Sequence, residues 1–191
     1  MADAAGNDLS KVFVPVTGAM GFGPADTAVP TPTVLGAESY TLPAGVRKVG
    51  LVKQDGGFDW TGEPSGEPIE FWQDGYELPS GLVSATLVVG LAQTDPIVRE
   101  LVWGKAPDEN GVIDVELGSN VNTYWVYTEE VAKNLVIRRR VAPNCTVRSV
   151  KEDKSERGTV QGYTVTFRTG RSPLINNAHF REAVIAPADD E

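Results

Sequence analysis

The strongest periodic signal along this chain is the run in which Val83, Ala85, Leu87, Val89 and Leu91 alternate with Ser84, Thr86, Val88 and Gly90. A period of two sends successive side chains to opposite faces, so this segment is predicted as a strand with one core face. Upstream, Ile69, Phe71 and Gln73 alternate with Glu70 and Trp72, and Asp74-Gly75 can supply the positive φ of a two-residue turn. A hairpin fits there, with Pro79 and Gly81 marking a bend or bulge into the second strand. After Ala92 the period lengthens. Asp95 can cap free N–H groups, Pro96 suits the first helical position, Ile97, Val98, Leu101 and Val102 form one apolar stripe, and Gly104 can end the segment in the left-handed conformation. Residues 95–103 are predicted as the only substantial helix, short and lying on a sheet.

The same reading divides the rest of the chain. Residues 46–52 open the core with a strand. Residues 54–68, QDGGFDWTGEPSGEP, hold four glycines and two prolines and read as a projecting loop, on which Phe58 and Trp60 either fold back onto the body or await a neighbour. Further strands are expected at residues 112–117, 123–128, 135–141, 145–150 and 159–169, with the charged stretch KEDKSERG as a hairpin loop. Before residue 46 the chain is rich in Gly, Pro, Ala and Thr, with strand alternation only at 11–16, and reads either as an extended N-terminal arm that orders on a partner or as a floppy tail. Residues 171–191 show little pattern, and their acidic end, APADDE, is expected to be mobile. The expected organisation is an arm (1–45), a β-rich domain (46–170) and a C-terminal extension (171–191).

Composition narrows the function classes. A chain of 191 residues with 41% hydrophobic content can bury one sizeable core. No apolar run is long enough to span a membrane, and the N-terminus lacks the basic and hydrophobic regions of a signal peptide, so a soluble intracellular protein is expected. The single cysteine, Cys145, excludes an internal disulfide and a Cys-rich metal site. The net charge of −9 argues against general nucleic-acid affinity. Residues 135–171 carry nine Lys or Arg against three Asp or Glu, a balance of +6 that leaves −15 for the remainder. That polarity is either a solvated surface or a device for charge-complementary contact between copies of the chain.

Few residues offer chemistry. His179 is the only histidine and has no nucleophile motif to serve. Gly18, Gly21 and Gly23 do not make a nucleotide-binding fingerprint, carboxylate spacing matches no EF-hand, and Asn144-Cys145-Thr146 is a glycosylation triplet without a secretion signal. Paired carboxylates such as Glu67 and Glu70 suit acid–base hydrolysis only if they share a cleft. In the run Arg138, Arg139 and Arg140, alternation puts Arg139 on the opposite face from the other two, so the triplet reads as a rim or subunit-contact feature. No metal or cofactor is expected.

The order of parts resembles the major tail proteins, the tail tube subunits, of long-tailed, non-contractile bacteriophages. The similarity is carried by VGLVKQDGG, by EPIEFWQDG with its preceding loop, by ATLVVGLAQTDPIVRELVWG, and by NLVIRRRVAPNCTVRSV with SERGTVQGYTVTFRT, covering roughly residues 46–170. The resemblance implies a mainly β, sandwich- or barrel-like fold with one flanking helix. It also implies six subunits per ring, rings stacked into a tube, and a joined inner sheet around the DNA path. The implied role is structural, not enzymatic. Its partners would be further copies of the chain, with tape measure, tail terminator and baseplate proteins, while DNA passes without specific binding. The virion tail would be its location, with the host cytoplasm its site of assembly.

Under that reading Phe58, Trp60 and Arg138 to Arg140 are candidates for contacts between subunits, and the arm and the 54–68 loop are the reaching elements. Glu70 and Glu77, taken as members of central strands, are candidates to line the lumen, because carboxylates keep phosphates off a wall. Two rivals stand beside it: a ligand- or carbohydrate-binding β-sandwich module, which would display aromatics on a sheet face, and a hydrolase using a carboxylate pair.

Overall fold

The computed structural model describes residues 4–64, 66–81, 83–118 and 120–187, and the fold is mainly β. Ten strands form among the described residues: β1 (Pro15–Pro24), β2 (Arg47–Lys48), β3 (Phe58–Pro64), β4 (Ile69–Glu70), β5 (Glu77–Leu78), β6 (Val83–Leu91), β7 (Thr123–Ala132), β8 (Ile137–Glu152), β9 (Tyr163–Thr169) and β10 (Arg181–Ile185). Helix α1 is a single turn (Pro32–Leu35) and α2 spans Pro96–Trp103. An antiparallel sheet runs β2-β1-β7-β8-β9-β6-β3, with β10 added to β8, while β4 and β5 make a separate hairpin. The long sheet curls until Phe58 of β3 reaches Gly18 of β1.

The predicted alternation of β6 and the predicted helix both hold. Ala85, Leu87, Val89 and Leu91 are buried, whereas Val83 at the start of the strand is exposed, and Leu87, Val89 and Leu91 meet Val165 and Phe167 of β9 and Met20, Phe22 and Val126 from β1 and β7 in one core. In α2 the Asp95 carboxylate accepts from the Ile97 and Val98 N–H groups at 2.8 and 3.1 Å. Gly104 ends the helix at φ +76 with its N–H on the Glu100 carbonyl. Val98, Leu101 and Val102 are fully buried. At about 1.5–3 kcal/mol for each fully buried side chain of this size, the stripe fixes the helix to the body far more firmly than intrinsic propensity would.

The region expected as an arm is part of the body from Pro15 onward. β1 pairs with β7 along its length, and residues 25–46 fold over the outer face of β7 and β8. There Leu35, Trp125, Tyr127 and Val141 form a second core, with Val29, Tyr40, Leu42 and Val46 against it. The glycines that made this stretch look unstructured are what let it pack. A Cβ on Gly18 would lie 2.9 Å from both the Glu129 carbonyl and the Phe58 ring, closer than real side chains approach.

Four further expectations are corrected. Half of the expected 54–68 loop is β3, paired residue for residue with β6 from Phe58↔Val89 to Pro64↔Val83. The 112–117 segment forms no strand despite its alternation, and Val112, Val115 and Leu117 are exposed on it. The two strands expected at 135–141 and 145–150 are one strand, β8. Pro143 is tolerated inside it because that edge changes partner there: β10 pairs up to Val141 and β9 takes over from Cys145, so the missing N–H costs no ladder bond. The C-terminal extension is not patternless, since β10 closes on β8 through Arg181↔Val141 to Ile185↔Ile137. Most of the acidic end, residues 188–191, lies outside the described residues.

Candidate assembly surfaces

Residues 147–152 of β8, then β9, β6 and β3, make a four-stranded antiparallel sheet whose two faces differ sharply in chemistry. One face carries Trp60, Leu87, Val89, Val165, Phe167 and Val147 into the core. The other carries rows of hydroxyls set by the register: Thr61, Thr86, Arg168 and Thr146 lie side by side across the strands, and so do Asp59, Val88, Thr166 and Ser149. The short 3₁₀ segment Gln54–Gly56 covers one end of this face, where Gly56 sits against Gly90. No other element packs closely on it among the described residues.

Both margins of this sheet are open. Among the described residues β3 pairs only with β6, and residues 147–152 pair only with β9, because β7 leaves β8 at Thr146. Unpaired strand edges are sticky and need to be covered or discouraged. The β3 margin displays Asp59 and Glu63, whereas the β8 margin displays Arg148 and Lys151, all four exposed. The charge imbalance read along the sequence therefore becomes, in part, an acidic edge and a basic edge on opposite sides of one sheet.

The arginine run divides as alternation requires. Arg139 faces outward into the strap that residues 25–46 lay over β7 and β8, and it is 3% exposed. Its Nε donates to Glu129 at 2.6 Å, and its guanidinium donates to the carbonyls of Leu35 (3.2 Å), Ala37 and Glu38 (2.8 Å) while lying over Tyr40. Burial together with the hydrogen bond to Glu129 pushes the Tyr127 hydroxyl pKa well above its ordinary value. Arg138 and Arg140 point to the other face. Both lie 3.9 Å from Glu130, Arg138 stacks on Phe13, and Arg140 donates to Glu182 at 2.6 Å while resting over Trp60 and Phe180. All three arginines are thus engaged within the subunit.

Phe58 and Trp60 fold back. Trp60 packs on Phe180 at 4.8 Å between ring centres, and both residues are half-buried against the main core. Glu70 and Glu77 are not on the central strands. They face each other across the β4–β5 hairpin, which also displays Ile69, Phe71, Trp72, Tyr76 and Leu78 to solvent, Trp72 fully. Like charges directly opposed across a two-residue ladder weaken it, and an isolated hairpin is marginal in water. The projecting element is therefore this apolar, acidic hairpin, and it begins after Pro64. A second displayed segment follows α2, where the side-chain amides of Asn120 and Asn122 donate to the Leu101 and Gly104 carbonyls at 2.8 Å each and hold the neck of the loop that carries Val112, Val115 and Leu117.

Ion pairs join elements far apart in sequence. Arg47 grips Glu100 with two bonds of 2.6 and 2.7 Å, tying β2 to α2 and holding the Glu100 carboxyl below its ordinary pKa. Lys53 pairs with Asp153, whose carboxylate also accepts from the Gly162 N–H, and the lysine holds that pKa down as well. The groups considered for catalysis stay apart or buried. Glu67 and Glu70 are exposed on the hairpin region, His179 Nδ1 meets the Thr169 carbonyl at 2.8 Å, and burial pushes the Cys145 thiol up to about 12. Among the described residues no three His, Cys, Asp or Glu side chains are grouped to hold a metal ion, and no helix is long and apolar enough to cross a membrane. The open margins were invisible in the sequence, because they depend on which strands pair. Neither a protein-family model nor a curated protein matches this chain.

Proposed function

We propose that this chain is a tail tube subunit of a long-tailed, non-contractile bacteriophage, assembling through its sheet margins into six-membered rings that stack into a conduit for DNA. The observation that carries the reading is the pair of open edges of opposite charge bounding a four-stranded sheet. An even number of antiparallel strands means that β3 of one copy and residues 147–152 of the next, related by rotation about a ring axis, run antiparallel. Ring closure then pairs every free N–H and C=O along those margins, and Asp59 and Glu63 meet Arg148 and Lys151. Such a contact joins unlike surfaces, as ring formation from one kind of subunit requires.

The exposed apolar hairpin around Trp72 and the loop bearing Val115 and Leu117 are suited to contacts between rings, since contiguous exposed apolar side chains mark interaction sites. Tape measure, terminator and baseplate proteins would be its other partners, the virion tail its place, and the role involves no catalytic step. The rival saccharide-binding reading gains little support, because the bare sheet face carries no aromatic side chain on which a sugar would stack.

Negative-stain electron microscopy of the concentrated protein tests the proposal. Rings or tubes are expected, and the double substitution Asp59→Lys, Glu63→Lys should abolish them while the monomer stays folded. Monodisperse monomers from the native protein at all concentrations would overturn it.

A further inference from the structure

We infer that residues 112–117 of one copy add as an extra strand to the free margin of β1 in a copy of the next ring, and that this strand addition stacks the rings. The pairing rests on the tube reading above and deepens it by naming a donor and an acceptor for the axial contact, neither of them the arm or the 54–68 loop expected to reach. The acceptor is a groove between the two ends of the curled sheet. β2 pairs with β1 only at Gly21 and Phe22, and the last bond from that side runs from the Val49 N–H to the Met20 carbonyl at 3.1 Å. The chain then crosses to β6, where Val52 bridges Leu91 and the Lys53 N–H reaches the Gly90 carbonyl at 2.8 Å. Alternation turns the N–H and C=O of Gly18 the same way as those of Met20, so they end at the groove with no strand beside them among the described residues. The groove measures about 630 Å³, with Val16 and Leu51 exposed on its rim and Val52 and Phe58 half-buried along it. A free backbone margin flanked by apolar side chains is what an added strand needs, since the main-chain bonds give affinity and the side-chain contacts give selectivity.

The donor has the alternation of a strand and no sheet to join. Ile113, Val115 and Leu117 alternate with Asp114 and Glu116, and Val115 and Leu117 are exposed. A turn precedes the segment, where the Asp108 carboxylate accepts from the Asn110 and Val112 N–H groups at 2.9 and 2.7 Å, and Gly118 at φ +83 follows it. The segment is therefore cut to strand length between two turns. Its apolar row suits Val16, Leu51 and Phe58, and its acidic row meets a cation at each end of the margin. Exposed Lys133 follows Ala132, which faces Pro15, and exposed Lys48 is paired with Gly21. Glu130, the one acid lining the groove among the described residues, is held 3.9 Å from both Arg138 and Arg140.

Position makes the contact repeat. The acceptor margin lies at the Ala132 end of β7, whereas the donor loop joins β7 at Thr123. Ten residues at about 3.4 Å each put donor and acceptor about 30 Å apart along one strand. Unlike surfaces at opposite ends of a subunit pair from copy to copy without closing, as a stack requires, while the margins of β3 and residues 147–152 lie to the sides and close the ring.

Cross-linking of the assembled protein tests the pairing. Cys145 is fully buried, so native protein supplies an unreactive background. Val16→Cys and Val115→Cys are placed in one chain, and the tubes are treated with a short bis-maleimide that cannot span the two positions within one subunit. A ladder of covalent multimers is expected on a denaturing gel, with each single variant staying monomeric. Val115→Pro, which withdraws an N–H that an added strand would use, should leave thermal unfolding of the subunit unchanged and reduce tubes to single rings. A free peptide of residues 111–118 should do the same to native protein by filling the groove, and a scrambled peptide should not. Tubes that form without the cross-link between positions 16 and 115 overturn the inference and leave the tube reading intact, and so do Val115→Pro tubes of native length. If native protein forms neither rings nor tubes, the tube reading fails and the inference fails with it.

Discussion

Arg139→Leu measures how firmly the strap over residues 25–46 belongs to the body. The substitution keeps much of the side-chain volume but removes the bond to Glu129 and the donors to the carbonyls of Leu35, Ala37 and Glu38. Removing one member of a buried ion pair costs about 3–5 kcal/mol, chiefly because the remaining charge and carbonyls are left without partners. Glu129 keeps the Tyr127 hydroxyl at 2.7 Å, and its side chain is 27% exposed, so part of its hydration returns. The lower end, about 3 kcal/mol, is therefore the expected loss. At about 2–4 °C per kcal/mol for a chain of this size, the melting temperature should fall by about 6–12 °C. Thermal unfolding followed by circular dichroism reads this directly, and hydrogen exchange should show protection lost first around residues 35–38. Arg139→Lys should recover only part of the loss, because an ammonium cannot reproduce the planar fork. A melting temperature within about 2 °C of the native value would refute the reasoning, since it would mean that the strap is not held by these bonds.

Three further outcomes are expected. Glu100 and Asp153 have folded-state pKa values held below their ordinary 4.5 and 3.8 by Arg47 and Lys53, so their contribution is complete above those ordinary values and is lost as pH falls through the lowered ones; stability should be flat from neutral pH to about 5 and then decline, with Arg47→Met removing part of the acid slope in denaturant titrations. Reversing Asp59 and Glu63 to Lys should abolish ring formation, and adding Arg148→Glu and Lys151→Glu to the same chain should restore it, as scored by sedimentation and microscopy; failure of the restoration would separate the two margins. Glu77→Lys turns a repulsive cross-strand pair with Glu70 into an attractive one and should strengthen the β4–β5 hairpin by about 0.2–1 kcal/mol, visible as slower amide exchange at Phe71, whose N–H bonds to the Tyr76 carbonyl.

The elements legible in the sequence were those in which one periodic face does all the burying. In β6 every predicted apolar position but Val83 at its exposed start is buried, in α2 Val98, Leu101 and Val102 are buried with Ile97 half-buried beside them, and the helix ends where Asp95 and Gly104 place its caps. β1 and β3 were obscured because their glycines, prolines and acidic residues read as loop, whereas in the fold the glycines admit close neighbours and the acids face solvent along an edge. The 112–117 segment shows the converse failure, an alternating pattern with no strand beside it among the described residues. Five residues of β10 were too few to carry a period. For the surfaces, alternation correctly separated Arg139 from Arg138 and Arg140, but nothing local could reveal that Glu129, Glu130 and Glu182 would neutralise them across neighbouring strands. The hydroxyl face is likewise a product of register, since Thr86, Thr146 and Thr166 come together only when β6, β8 and β9 are aligned.

The most direct test of the account is a cryo-electron microscopy reconstruction of the assembled protein at a resolution that separates strands. The account expects closed rings in which β3 of each subunit hydrogen-bonds in antiparallel register to residues 147–152 of the next. Rings joined through another surface, or an open assembly in which both of these edges stay unpaired, would contradict it.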